Sequence, residues 1–236
     1  MTAKNKTIIN THELMDMILK SFPGYKSSSL YNKIEEMENS GEITRIGKAQ
    51  YILNARKVFN YDLESKTAKK VLKTFKQNYS RDFEYLIYEA NVVLNQFINH
   101  LISRSVTIVE VPKFFANHVF YTLKQNGFKN VMLDPSPEDF YRYVEDYSVV
   151  IIPLISKSPI DKKNKKITIE KLVVDIVCSP ILNCFYEGAE VPHMIEDMLL
   201  NYKVKYDTLR NYAKRRNALQ RIVELAPIEI RGLIND

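Results

Sequence analysis

Between about residue 80 and residue 155 the chain alternates short apolar runs of strand length with longer runs of helical spacing, and this constrains its fold more than any other feature. FEYLIYEA reads as a strand and NVVLNQFINHLIS as a helix. TIVEV is a strand, KFFANHVFYTLKQNG a helix closed by Gly127, and KNVMLD a strand; the short helix SPEDFYRYV then precedes the strand SVVIIPLI. Strands alternating with helices predict a mixed α/β body. From about residue 167 the tail reads as helical, broken near Pro180 and Gly188.

The first 60 residues have another pattern. Asn10 with Glu13 can cap a helix whose inward face is Leu14, Ile18 and Phe22, ended by Pro23-Gly24. Ser27 to Ser29 cap a second helix, with Leu30, Ile34 and Met37 inward and Gly41 past its end. SGEITRIGKAQYIL then reads as two short strands around Gly47-Lys48, with Gly47 first in a two-residue turn and Tyr51 and Leu53 returning to the core. After a break at 54–66, SKTAKKVLKTFKQN is a helix with Ala68, Val71, Leu72 and Phe75 inward and a basic outside; it docks on the first unit or links to the second. The expected fold is α+β: a winged helix-turn-helix over 1–60, a linking helix over 61–79, and a C-terminal α/β domain with a helical tail over 80–236.

A helix fits the major groove, where base edges carry a distinct donor and acceptor code, and a cationic hairpin reaches the flanking phosphates. With Leu30, Ile34 and Met37 inward, Ser28, Asn32, Glu35 and Glu36 point out, flanked by Ser29, Tyr31 and Lys33; Asn32 has the amide geometry to read adenine. Lys26, Arg45, Lys48 and Gln50 complete the expected DNA-binding set in this unit. At the other end, DTLRNYAKRRNALQRIVEL predicts one helix capped by Asp207, on which Arg210, Lys214, Asn217 and Arg221 make a continuous stripe with Arg215 beside it. The loop DKKNKK, 161–166, is a further basic patch. A net charge of +6 and a pI near 9.1 agree with an anionic partner, double-stranded DNA.

Several classes are not expected. The four histidines are scattered without ligand spacing, so no metal and no cofactor is assigned. Cys178 and Cys184 lie in an apolar run without CxxC spacing and read as reduced core thiols. The N-terminus has no apolar leader and VVIIPLI is too short to span a bilayer, so a cytoplasmic protein without membrane contact is expected. A metal-dependent nuclease is the rival reading, from Glu84, Glu89, Glu110 and Lys113 near the strands. Glu110 and Lys113 are separated by two residues, one a proline, which takes the lysine off the strand face; the chain is therefore read as a non-enzyme. Glu170, Lys171 and Asp175 suit a helix surface or an internal ion pair.

A winged helix ending in GEITRIGKAQYIL, followed in order by IYEANVVLNQFINHL, VTIVEVPKFFANHVFYTLK, VVIIPLISKSPI and ITIEKLVVDIV, resembles the AbiEi-type antitoxins of bacterial abortive-infection toxin–antitoxin systems. The resemblance covers most of the chain and rests on order and pattern; KAQY stands where a glycine-rich wing tip is common in that family. It implies a repressor that binds inverted repeats in its own promoter. It also implies a genetically linked nucleotidyltransferase-like toxin that is countered without a stable complex. Neutralisation by direct protein binding is the alternative left open.

Overall fold

The computed structural model describes residues 8–21, 26–40, 42–53 and 56–235. β1 (Ile8–Asn10) leads directly into α1 (Thr11–Ser21) through a reciprocal cap. The Glu13 amide donates to Asn10 Oδ1 at 2.9 Å, and the Asn10 amide to Glu13 Oε2 at 2.8 Å. A 3-10 turn at Ser27–Ser29 opens α2 (Leu30–Ser40), with Leu30 and Ile34 buried and Met37 half-buried as the spacing requires. β2 (Thr44–Gly47) and β3 (Gln50–Ile52) form the hairpin, and β1 pairs with the other edge of β3, so the antiparallel order is β1-β3-β2. Ile9, Leu14, Ile18, Leu30, Ile34, Ile43 and Tyr51 close a small core. The expected contributions of Phe22, Pro23-Gly24 and Gly41 lie outside the described residues.

The hairpin turn corrects the expectation. Lys48-Ala49 is the two-residue turn, Gly47 remains in β2 opposite Gln50, and Ala49 takes the left-handed conformation with φ 59°. Gly47 answers to a close approach from the tail described below.

α3 (Lys66–Asn78) begins where the Ser65 hydroxyl accepts from the Ala68 amide at 3.0 Å. Its apolar face, Ala68, Val71 and Phe75, turns inward onto the larger body; Val71 and Phe75 pack with the sheet residues Val109 and Val111. That body is built from β4 (Leu86–Glu89), α4 (Ala90–Leu94), β5 (Val106–Val111), α5 (Ala116–Gln125), β6 (Val131–Leu133), α6 (Pro137–Tyr143) and β7 (Ser148–Pro153). The sheet order is β4-β5-β7-β6, with β4 antiparallel and the other three parallel. The step from β5 to β6 passes over one strand position, and the step from β6 to β7 comes back. Crossovers of one hand running in opposite directions put their helices on opposite faces. Accordingly α5 joins α3 on the face of Ile87, Val109 and Ile151, while Phe140 of α6 lies on the face of Tyr88, Ile108 and Val150. All six residues of β5 are buried, as expected of a strand covered on both sides.

The helix expected over 91–103 stops at Leu94. The Asn95 side chain accepts from the Ile102 amide at 2.9 Å and donates to the Ile102 carbonyl at 3.1 Å, so a side-chain amide holds a loop where the helix ladder would have run.

The second sheet face is covered by the tail. β8 (Ile160–Asp161) and β9 (Lys166–Ile167) make a small hairpin. After it come α7 (Ile169–Cys178), α8 (Val191–Asn201), α9 (Tyr206–Arg215), α10 (Leu219–Leu225) and α11 (Ile228–Asn235). The expected break near Pro180 and Gly188 consists of 3-10 turns at Leu182–Cys184 and Gly188–Glu190. The single helix expected from Asp207 is two helices. α9 ends with Asn217 in the left-handed region at φ 52°, the Ala218 amide bonding the Ala213 carbonyl at 2.9 Å and the Asn217 amide that of Lys214 at 3.1 Å. The residue at the N-cap is Lys205, and Asp207 lies in the first turn.

The N-terminal unit sits on this tail. The Lys57 amide donates to the Asn201 carbonyl at 2.8 Å, the Lys203 amide to the Lys57 carbonyl at 2.9 Å, and the Lys203 ammonium to the carbonyl of Glu38. Leu233 of α11 comes so close to Gly47 that a Cβ there would lie 2.9 Å from Leu233 Cδ2. No helix among the described residues is long and apolar enough to cross a membrane.

Candidate nucleic-acid interface

Burying Leu30 and Ile34 turns the other side of α2 outward. Ser28, Tyr31, Asn32, Glu35 and Glu36 are exposed, Ser29 is half-buried, and Lys33 is half-buried with its ammonium 3.1 Å from Glu36. Tyr31 is 69% exposed, so its ring has no packing role. Lys26, just before the 3-10 turn, is exposed and accepts the Ser29 amide on its carbonyl at 2.9 Å. On the hairpin, Arg45, Lys48 and Gln50 are exposed, with Lys48 at the tip. The tip is tied to the start of α1 by the Thr11 amide, 3.0 Å from the Ala49 carbonyl.

The basic residues of the tail are not one stripe. Arg210 pairs with Asp207 within α9, the Arg215 guanidinium reaches Ser156 Oγ at 3.3 Å, Lys214 is exposed, and Arg221 is exposed beyond the break, on α10. Arg210 and Arg45 both line one open cleft of about 1080 Å³ between β2, β9, the start of α7 and the start of α9. Lys166, Lys203 and Lys205 also line it, with Glu38, Asp161, Glu170 and Asp207 among the acids. Residue spacing had no way to show these lysines on one cleft with the hairpin, because the docking of the tail on β2 is a long-range contact. In the loop 161–166, Lys162 pairs with Glu84 at 2.9 Å and Lys166 with Asp62 at 3.0 Å.

The residues of the nuclease reading are engaged elsewhere. Glu84 is the partner of Lys162. Glu89 is buried and accepts the Glu64 amide at 2.6 Å, the Ser65 amide at 3.1 Å and the Ser105 hydroxyl at 3.0 Å, which places a carboxylate at the N-terminus of α3. Glu110 turns to the face opposite α5, where its carboxylate is 2.9 Å from Lys171 Nζ and accepts the Tyr88 hydroxyl at 3.1 Å; Lys113 is exposed. Lys171 also pairs with Asp175, which takes Arg216 and the Tyr212 hydroxyl, each at 3.0 Å. Of the two uses suggested for Lys171 and Asp175, the structure shows the internal ion pair. Burial raises the pKa of Glu110, with Lys171 opposing that shift. Burial works against charge on Lys171, but Glu110 and Asp175 outweigh it and raise its pKa. Glu170 accepts the Lys205 amide at 2.8 Å, tying α7 to the start of α9.

Cys178 and Cys184 are free thiols, and burial pushes Cys178 up to about 11. Among the described residues, no cluster of His, Cys, Asp and Glu could hold a metal ion.

A mixed α+β chain with two helices and a three-stranded hairpin sheet mounted on a helix-covered sheet is the class that this geometry defines. The chain belongs to a family of unknown function (DUF6577), which matches residues 29–230, from the last residue of the 3-10 turn before α2 into α11. No curated protein matches it.

Proposed function

We propose that the chain is a DNA-binding transcriptional repressor whose residues 8–53 form a winged helix, with α2 as the reading helix and β2–β3 as the wing. The observation that carries this reading is the order β1-β3-β2 behind α1 and α2, which leaves the start of α2 and the wing tip as exposed surfaces of one unit. A reading helix contacts base edges with its N-terminal residues. Here those are Ser28, Tyr31 and Asn32, while Glu35 and Glu36 fall in the half that stays outside the groove. Arg45 and Lys48 supply phosphate contacts, and Arg210, on the cleft that Arg45 also lines, extends them.

The resemblance to AbiEi-type antitoxins supplies the operator, inverted repeats in the chain's own promoter, and the role, antitoxin to a linked nucleotidyltransferase-like toxin in the cytoplasm. The protein acts by binding rather than catalysis, a reading that the engagement of Glu84, Glu89 and Glu110 with structural partners supports. The test is titration of the full chain on a duplex from its own promoter and on a scrambled duplex of equal length. A preference of about 10³-fold or more is expected of a specific binder; equal affinity for both rejects the proposal.

A further inference from the structure

We propose that the face formed by α3 and α5 binds single-stranded nucleic acid. Residues 65–81 and 112–130 together hold nine lysines and arginines and no acidic residue, while the rest of the chain holds 25 basic against 28 acidic. The net positive charge of the chain is thus carried by these two segments, with Glu64 and Asp82 just outside the ends of the first. On α3, Lys66, Lys69, Lys73 and Lys76 recur at i, i+3, i+7 and i+10 and make one exposed stripe about 15 Å long. None of the four is in an ion pair among the described residues. Lys70 joins the helices, its ammonium 3.0 Å from the Asn126 carbonyl and 4.6 Å from the Phe128 ring centre.

Aromatic rings continue the stripe. Tyr79, at the end of α3, stacks on Phe83 at 4.7 Å; Phe83 meets Phe115 edge-on at 5.2 Å, and Phe115 meets Phe114 at 5.5 Å. Phe114 is 90% exposed, and Tyr121 on α5 is 62% exposed. Uncompensated lysines beside open rings suit a strand whose phosphates pair with the cations while its bases stack on the rings. A duplex keeps its base faces inside its own stack and offers none to Phe114. A membrane would need an apolar helix face to bury, whereas Asn117, His118 and Gln125 share the outward side of α5. This face lies across the sheet from the tail that carries the N-terminal unit, so it is separate from the duplex contact proposed above.

The test is fluorescence anisotropy of the full chain with short labelled single strands, RNA and DNA, with a promoter duplex and phosphatidylserine vesicles as controls. The surface variant Lys69→Gln/Lys73→Gln/Lys76→Gln should weaken single-strand binding about 10-fold or more and flatten the log–log salt slope by about 0.7 for each phosphate no longer neutralised. Phe114→Ala should weaken it about 10-fold with the slope unchanged. Asn32→Ala should leave it intact, which separates this inference from the duplex reading. Absence of single-strand binding, or wild-type affinity in the triple variant, overturns the inference. So does a parallel loss on the duplex, or a loss confined to vesicles.

Discussion

Lys171 stands between Glu110 and Asp175 in the core; its ammonium is the one cation paired with Glu110 among the described residues and shares Asp175 with Arg216. Removing one member of a buried ionic set leaves an uncompensated charge, which costs more than the set is worth. Lys171→Met should therefore lower unfolding free energy by about 3–5 kcal/mol. Adding Glu110→Gln should return part of that loss. Urea unfolding of the two variants measures both, and a loss under about 1 kcal/mol for Lys171→Met would show that the ammonium is not needed there. The direction at Lys171 also sets a pH window: a raised lysine contributes fully below its ordinary value of 10.5, so its charge is in place at neutral pH. Cys178 has the same sign for a different reason, because burial favours the neutral thiol. Its contribution is whole below pH 9 and is lost as pH rises toward about 11. Stability should fall over that window, and less steeply in Cys178→Ala; identical pH profiles for the two proteins would contradict this.

At the scale of elements, the contact between α11 and β2 joins the N-terminal unit to the tail. Gly47→Val would push a branched side chain into Leu233 and should cost about 1–3 kcal/mol by overpacking. Leu233→Ala in the same chain should recover part of that, since the clash is with its terminal methyl group. A double-mutant cycle in urea reads the coupling, and strictly additive losses would show that the two residues do not meet. Sequence reading found the elements whose causes are local: the Asn10–Glu13 cap, the buried positions of α1 and α2, and the apolar strands β5 and β7. It missed those decided by a single side chain or a distant contact. Asn95 diverts a helix by bonding Ile102, Asn217 splits the tail helix by accepting positive φ, and Gly47 serves Leu233 and not the turn. The candidate site divides the same way. The exposure of Ser28 and Asn32 followed from periodicity and that of Arg45 and Lys48 from the hairpin, while the cleft that Arg45 and Arg210 both line depends on how the tail docks.

For the whole molecule, the proposal separates reading from holding. In the proposed reading the exposed half of α2 would offer an amide and a phenol to base edges and the wing would offer charge, while Lys203 and α11 tie this unit to the larger body. Arg45→Ala/Lys48→Ala should weaken promoter and scrambled duplexes alike, flattening the salt dependence by about 0.9 in log–log slope for each phosphate left without its cation. Weakening on the promoter duplex alone would place those residues on bases instead. The decisive experiment for the reading helix is the affinity of full-length Asn32→Ala for the promoter duplex and for the scrambled one at several salt concentrations. A loss of about 1–3 kcal/mol is expected on the promoter and almost none on the scrambled duplex, with the salt slope unchanged. An equal loss on both duplexes, or no loss on either, would contradict a reading role for α2.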